Sequence, residues 1–228
     1  MLAAEPSYFA TLANDEFLPT EGRMFAAFTQ PLEQVRYVLI GEGPYPRAAS
    51  ATGVCFMDGA VEALWSPAGL SKQVNRATSL RNFMKMLLVA DDRTHEGDTG
   101  GEAMACVSAQ ARAIGSPFIQ TLTELQGNLG SCGFLLLNAT LVYRPHVAPA
   151  KEARSWRPFL ATILKALATR DGEAPVLVLW GKIAAQLQDI EAVRALPAIV
   201  AEHPYNLSFI SNRAMQDLFG PMRLLYRR

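Results

Sequence analysis

Four short runs constrain the fold more than any other feature: VRYVLI (35–40), FLLLN (134–138), VLVLW (176–180) and AIVAE (198–202). Each is built from branched or large apolar residues without polar alternation. Strands of that kind have both faces covered, the condition of a parallel sheet between helical layers. Between the runs lie helical patterns. SLRNFMKMLLVA (79–90) sets Leu80, Phe83, Met84, Leu87 and Leu88 on one face, and WRPFLATILKALATR (156–170) does the same with Leu160, Ile163, Leu164 and Leu167. KIAAQLQDI (182–190) and SNRAMQDLFG (211–220) read as shorter helices, with Gly220 as the C-cap of the second. DDRTHEGDTGGE (91–102) is polar and glycine-containing, so it reads as a loop. Strands alternating with helices predict an α/β fold: a single three-layer domain over 1–228, with a central, mainly parallel four-stranded sheet flanked by helices.

In such sheets ligands bind beyond the carboxyl ends of the strands. The residues there are Gly41–Pro46 (GEGPYP), Asn138 onward, Trp180–Lys182 and Glu202–Ser208. Collected, they offer a carboxylate (Glu42), two aromatic rings (Tyr45, and Phe56 shortly behind), an amide (Asn138) and an imidazole (His203). An aromatic face beside an amide suits a flat, hydrogen-bonding ring such as a nucleobase, because the amide both donates and accepts. Each residue also has an ordinary structural role. Tyr45, Phe56 and Leu207 could pack in a core, Asn138 could cap a turn, His203 could be structural, and Ser79 could be a helix N-cap. GEGPYP lacks the GxGxxG spacing of a dinucleotide-binding turn, and its prolines stand where a helix N-terminus would present amides.

Lys and Arg number 21 and Asp and Glu number 21, so bulk charge advertises no nucleic-acid partner and any basic surface is local. Arg76, Arg81, Lys182 and Arg213 are candidate phosphate contacts or plain solvated surface. The three cysteines are widely spaced, with no CxxC; they read as reduced thiols of a cytoplasmic protein and leave too few ligands for an all-cysteine cluster. The start, MLAAEPSYFA, lacks the basic and apolar regions of a signal peptide, and no apolar run reaches the roughly 18 residues of a membrane span.

The ordered motifs resemble those of the uracil-DNA glycosylases, most closely the classical branch. VLIGEGPYP is similar to that branch's first motif, a strand followed by glycine, glutamine, aspartate, proline, tyrosine and histidine. ATGVCFM resembles the segment with the stacking phenylalanine, and ATSLRN the proline- and serine-rich loop before a helix. GFLLLNATLVYRPHVAPAKEARSW resembles the strand with the uracil-reading asparagine and the segment after it. VLVLWGKIAAQ and HPYNLS resemble the later strand and the histidine-bearing intercalation loop. The likeness spans 15–220.

The resemblance implies an enzyme that flips uracil, or a related deaminated base, out of DNA and hydrolyses its glycosidic bond, since the bond is unreachable in the stack. It implies that Asn138 reads the uracil edge, Tyr45 crowds C5, Phe56 stacks, and His203 stabilises the departing base, as donors of an oxyanion hole do. It implies that Leu207 fills the gap in the duplex, while Ser79, Pro204 and Ser208 contact phosphates. It implies no metal, no cofactor, no membrane and a monomer. Three positions depart from the pattern. The water-activating aspartate is Gly43, the preceding glutamine is Glu42, and the closing histidine is Pro46; the loop usually written HPSPLS reads HPYNLS. Two expectations follow: Glu42 takes over as the catalytic carboxylate, or the chain is a weak or inactive glycosylase fold that binds DNA or a protein.

Overall fold

The computed structural model describes residues 6–228. The chain forms two compact units: one runs up to Gly59 and resumes over Gly133–Val200, and the other takes in Ala60–Cys132 and Ala201–Arg228.

The first unit carries the sheet. Its strands are β1 (Tyr37–Gly41), β4 (Phe134–Asn138), β5 (Val176–Trp180) and β6 (Ala198–Ala201), in the order β4-β1-β5-β6. The central pairs are parallel: Tyr37 to Gly41 match Phe134 to Asn138, and Tyr37 to Ile40 match Val176 to Leu179. The four runs are the four strands, within two residues at each end. All five residues of β4 are buried, and so are Val38, Leu39 and Ile40, as strands covered on both faces require. From β1 the chain proceeds to β4 on one side, and from β5 to β6 on the other. The order therefore reverses between β1 and β5, which puts the ligand crevice of such a sheet beyond their carboxyl ends.

Helices α1 (Pro6–Leu12), α6 (Pro149–Ala168), α7 (Ile183–Leu187) and α8 (Glu191–Ala195) belong to this unit. Helix α6 begins seven residues earlier than the apolar period predicts. Its first turns, PAKEARS, are polar and alanine-rich, and Pro149 opens them where no amide donor is needed. Those turns hold a buried polar network. The Glu152 carboxylate, 4% exposed, accepts from Arg144 Nε at 2.8 Å and from the Tyr8 hydroxyl. Trp156 Nε1 donates to Tyr8 at 2.7 Å, and Arg144 Nη1 reaches Asp15 at 3.1 Å. The network ties α1 and the segment after β4 to α6.

The second unit contains a small antiparallel ladder, β2 (Trp65–Ser66) and β3 (Gly69–Leu70), with helices α2 (Lys72–Arg76), α3 (Thr78–Ala90), α4 (Gly101–Ala111), α5 (Leu122–Ser131) and α9 (Arg213–Phe219). The predicted apolar face of α3 is buried, and Phe83 packs edge to face on Phe219 at 5.1 Å. Gly220 takes the C-cap position of α9 with a right-handed backbone (φ −55°); its lack of a side chain serves packing, since a Cβ there would come within 3.3 Å of the Ala90 Cβ. The loop after α3 gives way to α4 at Gly101, and neither α4 nor α5 was expected. Helix α5 is disguised by Gly127 and Gly130 in its interior, each costing about 1 kcal/mol against alanine. Its start was legible: Thr121 and Glu124 form a reciprocal capping box.

Two outcomes follow. Arg144→Met leaves the buried Glu152 unpaired and lowers unfolding free energy by about 3 kcal/mol or more, and adding Glu152→Gln recovers part of the loss in urea titrations. Burial pushes the Asp91 carboxyl up to about 6, against the opposing pull of Arg223 and Arg93. Its folded value exceeds the unfolded one, so its contribution is present at low pH and lost as pH rises through the folded value. Unfolding titrations should show Asp91→Asn gaining on the wild type between about pH 4 and pH 7.

Candidate active site

In the first unit the candidate residues stand on the β1–β4 pair, whose ladder runs past the strand ends. Ala139 N–H donates to Gly41 O at 2.8 Å and Thr140 N–H to Glu42 O at 3.1 Å. This register sets Asn138 opposite Gly41. Asn138 is 4% exposed, yet among the described residues its side-chain amide makes no hydrogen bond, and it caps no turn. The amide atoms keep some solvent access, since the fully buried side-chain polar atom without a partner is Ser50 Oγ, so the Asn138 donor and acceptor groups are open to a hydrogen-bonding ligand. Gly41 is there because the space is taken: a Cβ would lie 2.6 Å from Cys55 Sγ and 3.3 Å from Asn138 Oδ1.

The loop that supplies Phe56 is pinned to β4 through Cys55 N–H, which donates to Leu136 O at 3.1 Å. Burial pushes the Cys55 thiol up to about 12, against a weaker opposing hydrogen bond with the Gly41 backbone, so it is a protonated packing group. Phe56 has φ +69°, left-handed backbone that a bulky residue adopts only when its surroundings impose it. Its half-buried ring stands edge to face on Trp180 of β5 at 5.2 Å. The Tyr45 hydroxyl donates to Phe56 O at 3.4 Å. Burial first, then Cys55 and Asp58, raise the Tyr45 phenol well above its ordinary value, so it stays a donor. Tyr45, Phe56 and Asn138 are thus gathered around the β1 end.

Glu42 is exposed, and among the described residues no hydrogen bond or ion pair engages its carboxylate. With Gly43 and Pro44 it borders a cavity of about 760 Å³ walled also by Thr140, Arg154 and Arg157; Tyr45, Phe56 and Asn138 are not among the lining residues. Gly43 sits against Thr140. A Cβ at 43 would fall 2.3 Å from Thr140 Oγ1, which itself donates to Glu42 O at 3.1 Å. The hydroxyl fills the space that any side chain at 43 would enter.

The second unit carries the HPYNLS loop, held from behind by Asn82, a fully buried residue of α3 that sequence reasoning passed over. Asn82 Nδ2 donates to the carbonyls of Pro204, Tyr205 and Asn206 at 2.8, 3.3 and 3.3 Å. The signal was an amide inside an otherwise apolar stripe. His203 Nδ1 accepts the Tyr205 N–H at 3.1 Å, so in the neutral ring the proton sits on Nε2. Pro204 is buried; Leu207 and Ser208 are exposed, Leu207 by 68%. Ser79 lies in the first turn of α3, whose N-cap is Ala77, so it is not that helix's cap. Of the basic candidates, Arg213 is paired with Glu96 at 3.2 Å, and Arg81 bonds Asn82 Oδ1 at 3.3 Å. Lys182 is exposed at the start of α7 and Arg76 at the end of α2. Among the described residues no cluster of three His, Cys, Asp or Glu side chains is placed to hold a metal, and no helix is long and apolar enough to cross a membrane.

Comparison with known proteins identifies the family. A family profile described as the uracil DNA glycosylase superfamily matches residues 28–221. A uracil-DNA glycosylase of Corynebacterium glutamicum is 30% identical over 92% of this chain and 75% of its own, and one of Mycobacterium sp. (strain KMS) is 28% identical over 91% and 73%. The crystal structure of the wild-type UNG of Nitratifractor salsuginis superposes with a TM-score of 0.90 at 40% identity, covering 98% of this chain and 87% of that one. With a profile spanning most of its length and a solved relative at 40% identity, the chain belongs to the uracil-DNA glycosylase superfamily.

Proposed function

We propose that the protein is a DNA repair glycosylase that flips uracil, or a related deaminated base, out of DNA and hydrolyses its N-glycosidic bond. The observation that carries this reading is the Asn138 amide: set opposite Gly41, without a hydrogen-bond partner among the described residues, on the strand to which the Phe56 loop is fastened. Asn138 Oδ1 accepts the uracil N3–H and Nδ2 donates to O4, a pattern cytosine reverses. Phe56 stacks on the ring and Tyr45 crowds C5, against thymine. As the C1′–N1 bond breaks, its electron pair goes to the base, and His203 Nε2–H donates to the charge on O2. Glu42 orients a water and takes its proton as the water oxygen bonds C1′. Leu207 fills the emptied stack, while Ser79, Pro204 and Ser208 hold phosphates. No step is routed through a metal or organic cofactor. The reading includes a cytoplasmic monomer, with 1–228 acting as one domain.

A second reading, a glycosylase fold that binds DNA or a protein with little or no turnover, is favoured by one observation. Thr140 fills the space of the missing aspartate, and Glu42 borders a cavity to which the base-reading residues do not contribute.

Uracil release from single- and double-stranded DNA separates the two. The glycosylase reading expects release by the wild type, a loss of roughly 100- to 10,000-fold in Glu42→Gln, and about 100-fold or more in Asn138→Ala. Binding of uracil-DNA without release supports the second reading, and unchanged turnover in Glu42→Gln removes Glu42 as the base. Restoring the aspartate is expected to need two changes. Gly43→Asp alone lowers stability and gains no activity, because its Cβ meets Thr140 Oγ1. Gly43→Asp with Thr140→Ala, where the nearest remaining side-chain atom is 3.7 Å away, recovers stability and raises the rate. Thermal melts and single-turnover assays on both variants check this.

A further inference from the structure

Among the described residues six large hydrophobic side chains are strongly exposed, and two of them, Tyr205 (67%) and Leu207 (68%), fall within three positions on one loop. Exposed apolar residues scattered singly need no explanation, but two on one rigid loop do. The backbone of this loop is already committed. Three of its carbonyls accept from the buried Asn82 amide, the Tyr205 N–H goes to His203 Nδ1, and the Asn206 N–H goes to His203 O at 2.9 Å. The short helix Leu207–Ser211 then buries Phe209 and Ile210 as anchors. The inward-facing groups are therefore satisfied, while the Tyr205 ring and hydroxyl have no partner among the described residues.

The surroundings favour a polyanion. Arg81 bonds the bracing amide itself, and Lys85 lies one turn along α3. Burial and the nearby Arg81 hold the Lys85 ammonium below its ordinary value. A cationic helix behind an unpartnered ring on a pre-ordered loop is the arrangement that stacks a nucleobase while attracting its backbone.

We propose that Tyr205 is a second stacking side chain, which packs on a base of the DNA strand next to the extruded nucleotide while Leu207 enters the gap. This rests on the glycosylase reading for the place of Leu207, but the stacking itself requires only DNA. Ordering such a ring on a preformed loop costs little, so its contact area goes into affinity.

The test uses the full chain with uracil-containing oligonucleotides, single- and double-stranded, that carry 2-aminopurine on either side of the uracil. Tyr205→Ala is expected to weaken binding by roughly ten- to a hundredfold, to leave the salt dependence unchanged, and to abolish the quenching of one 2-aminopurine. Tyr205→Phe is expected to retain both affinity and quenching. The inference is overturned if Tyr205→Ala binds like the wild type, or if Tyr205→Phe fails as badly as alanine, which would make the hydroxyl the contact. Thermal melts check for a folding defect, which is not expected of a side chain 67% exposed. Wild-type uracil release reports separately on the glycosylase reading. Release with an unaffected Tyr205→Ala sinks the stacking role alone; no release, with weakened binding in Tyr205→Ala, sinks the glycosylase reading alone.

Discussion

The β1–β4 register is the constraint on which the arrangement at the strand ends depends. A one-residue slip would move every side chain to the opposite face, and here both faces are closely packed. The register therefore fixes Asn138 opposite Gly41, and its continuation fixes Thr140 against Glu42 and Gly43. The Phe56 loop is fastened to the same strand at Leu136. Amide, aromatic ring and carboxylate-bearing turn are thus located by backbone hydrogen bonds of one ladder.

Stability is spent unevenly around this ladder. The left-handed Phe56 backbone is costly, by about 1–3 kcal/mol on general grounds. Elsewhere in the same unit the buried Glu152 carboxylate serves Arg144, Tyr8 and Trp156 together, whereas the buried Ser50 Oγ has no partner among the described residues.

Much of this was legible in the chain. The four sheet strands and the apolar faces of α3 and α6 were visible because uninterrupted branched runs and 3.6-residue periods are direct consequences of burial. The candidate residues at the strand ends could be singled out because sheets of this kind bind ligands beyond the strands' carboxyl ends. Helices α4 and α5 escaped because alanine, serine and interior glycines blur the period, and tertiary packing overrides weak propensity. Asn82 and Thr140 escaped for another reason. Each matters through a partner distant in sequence, Pro204 to Asn206 in one case and Glu42 with Gly43 in the other, and no local pattern encodes such a meeting. Departures such as Gly43 were obvious as departures, but what occupies the vacated space needed coordinates.

The contact between positions 43 and 140 also bears on descent. The two sites are nearly a hundred residues apart, yet a side chain at one excludes the hydroxyl at the other. From the present sequence, a lone change at 43 meets a steric barrier, whereas a change at 140 only gives up a hydrogen bond. The order of steps is thereby set: the threonine must go first. A lineage that has acquired this pair is held in it by geometry, whatever selection later favours at the turn.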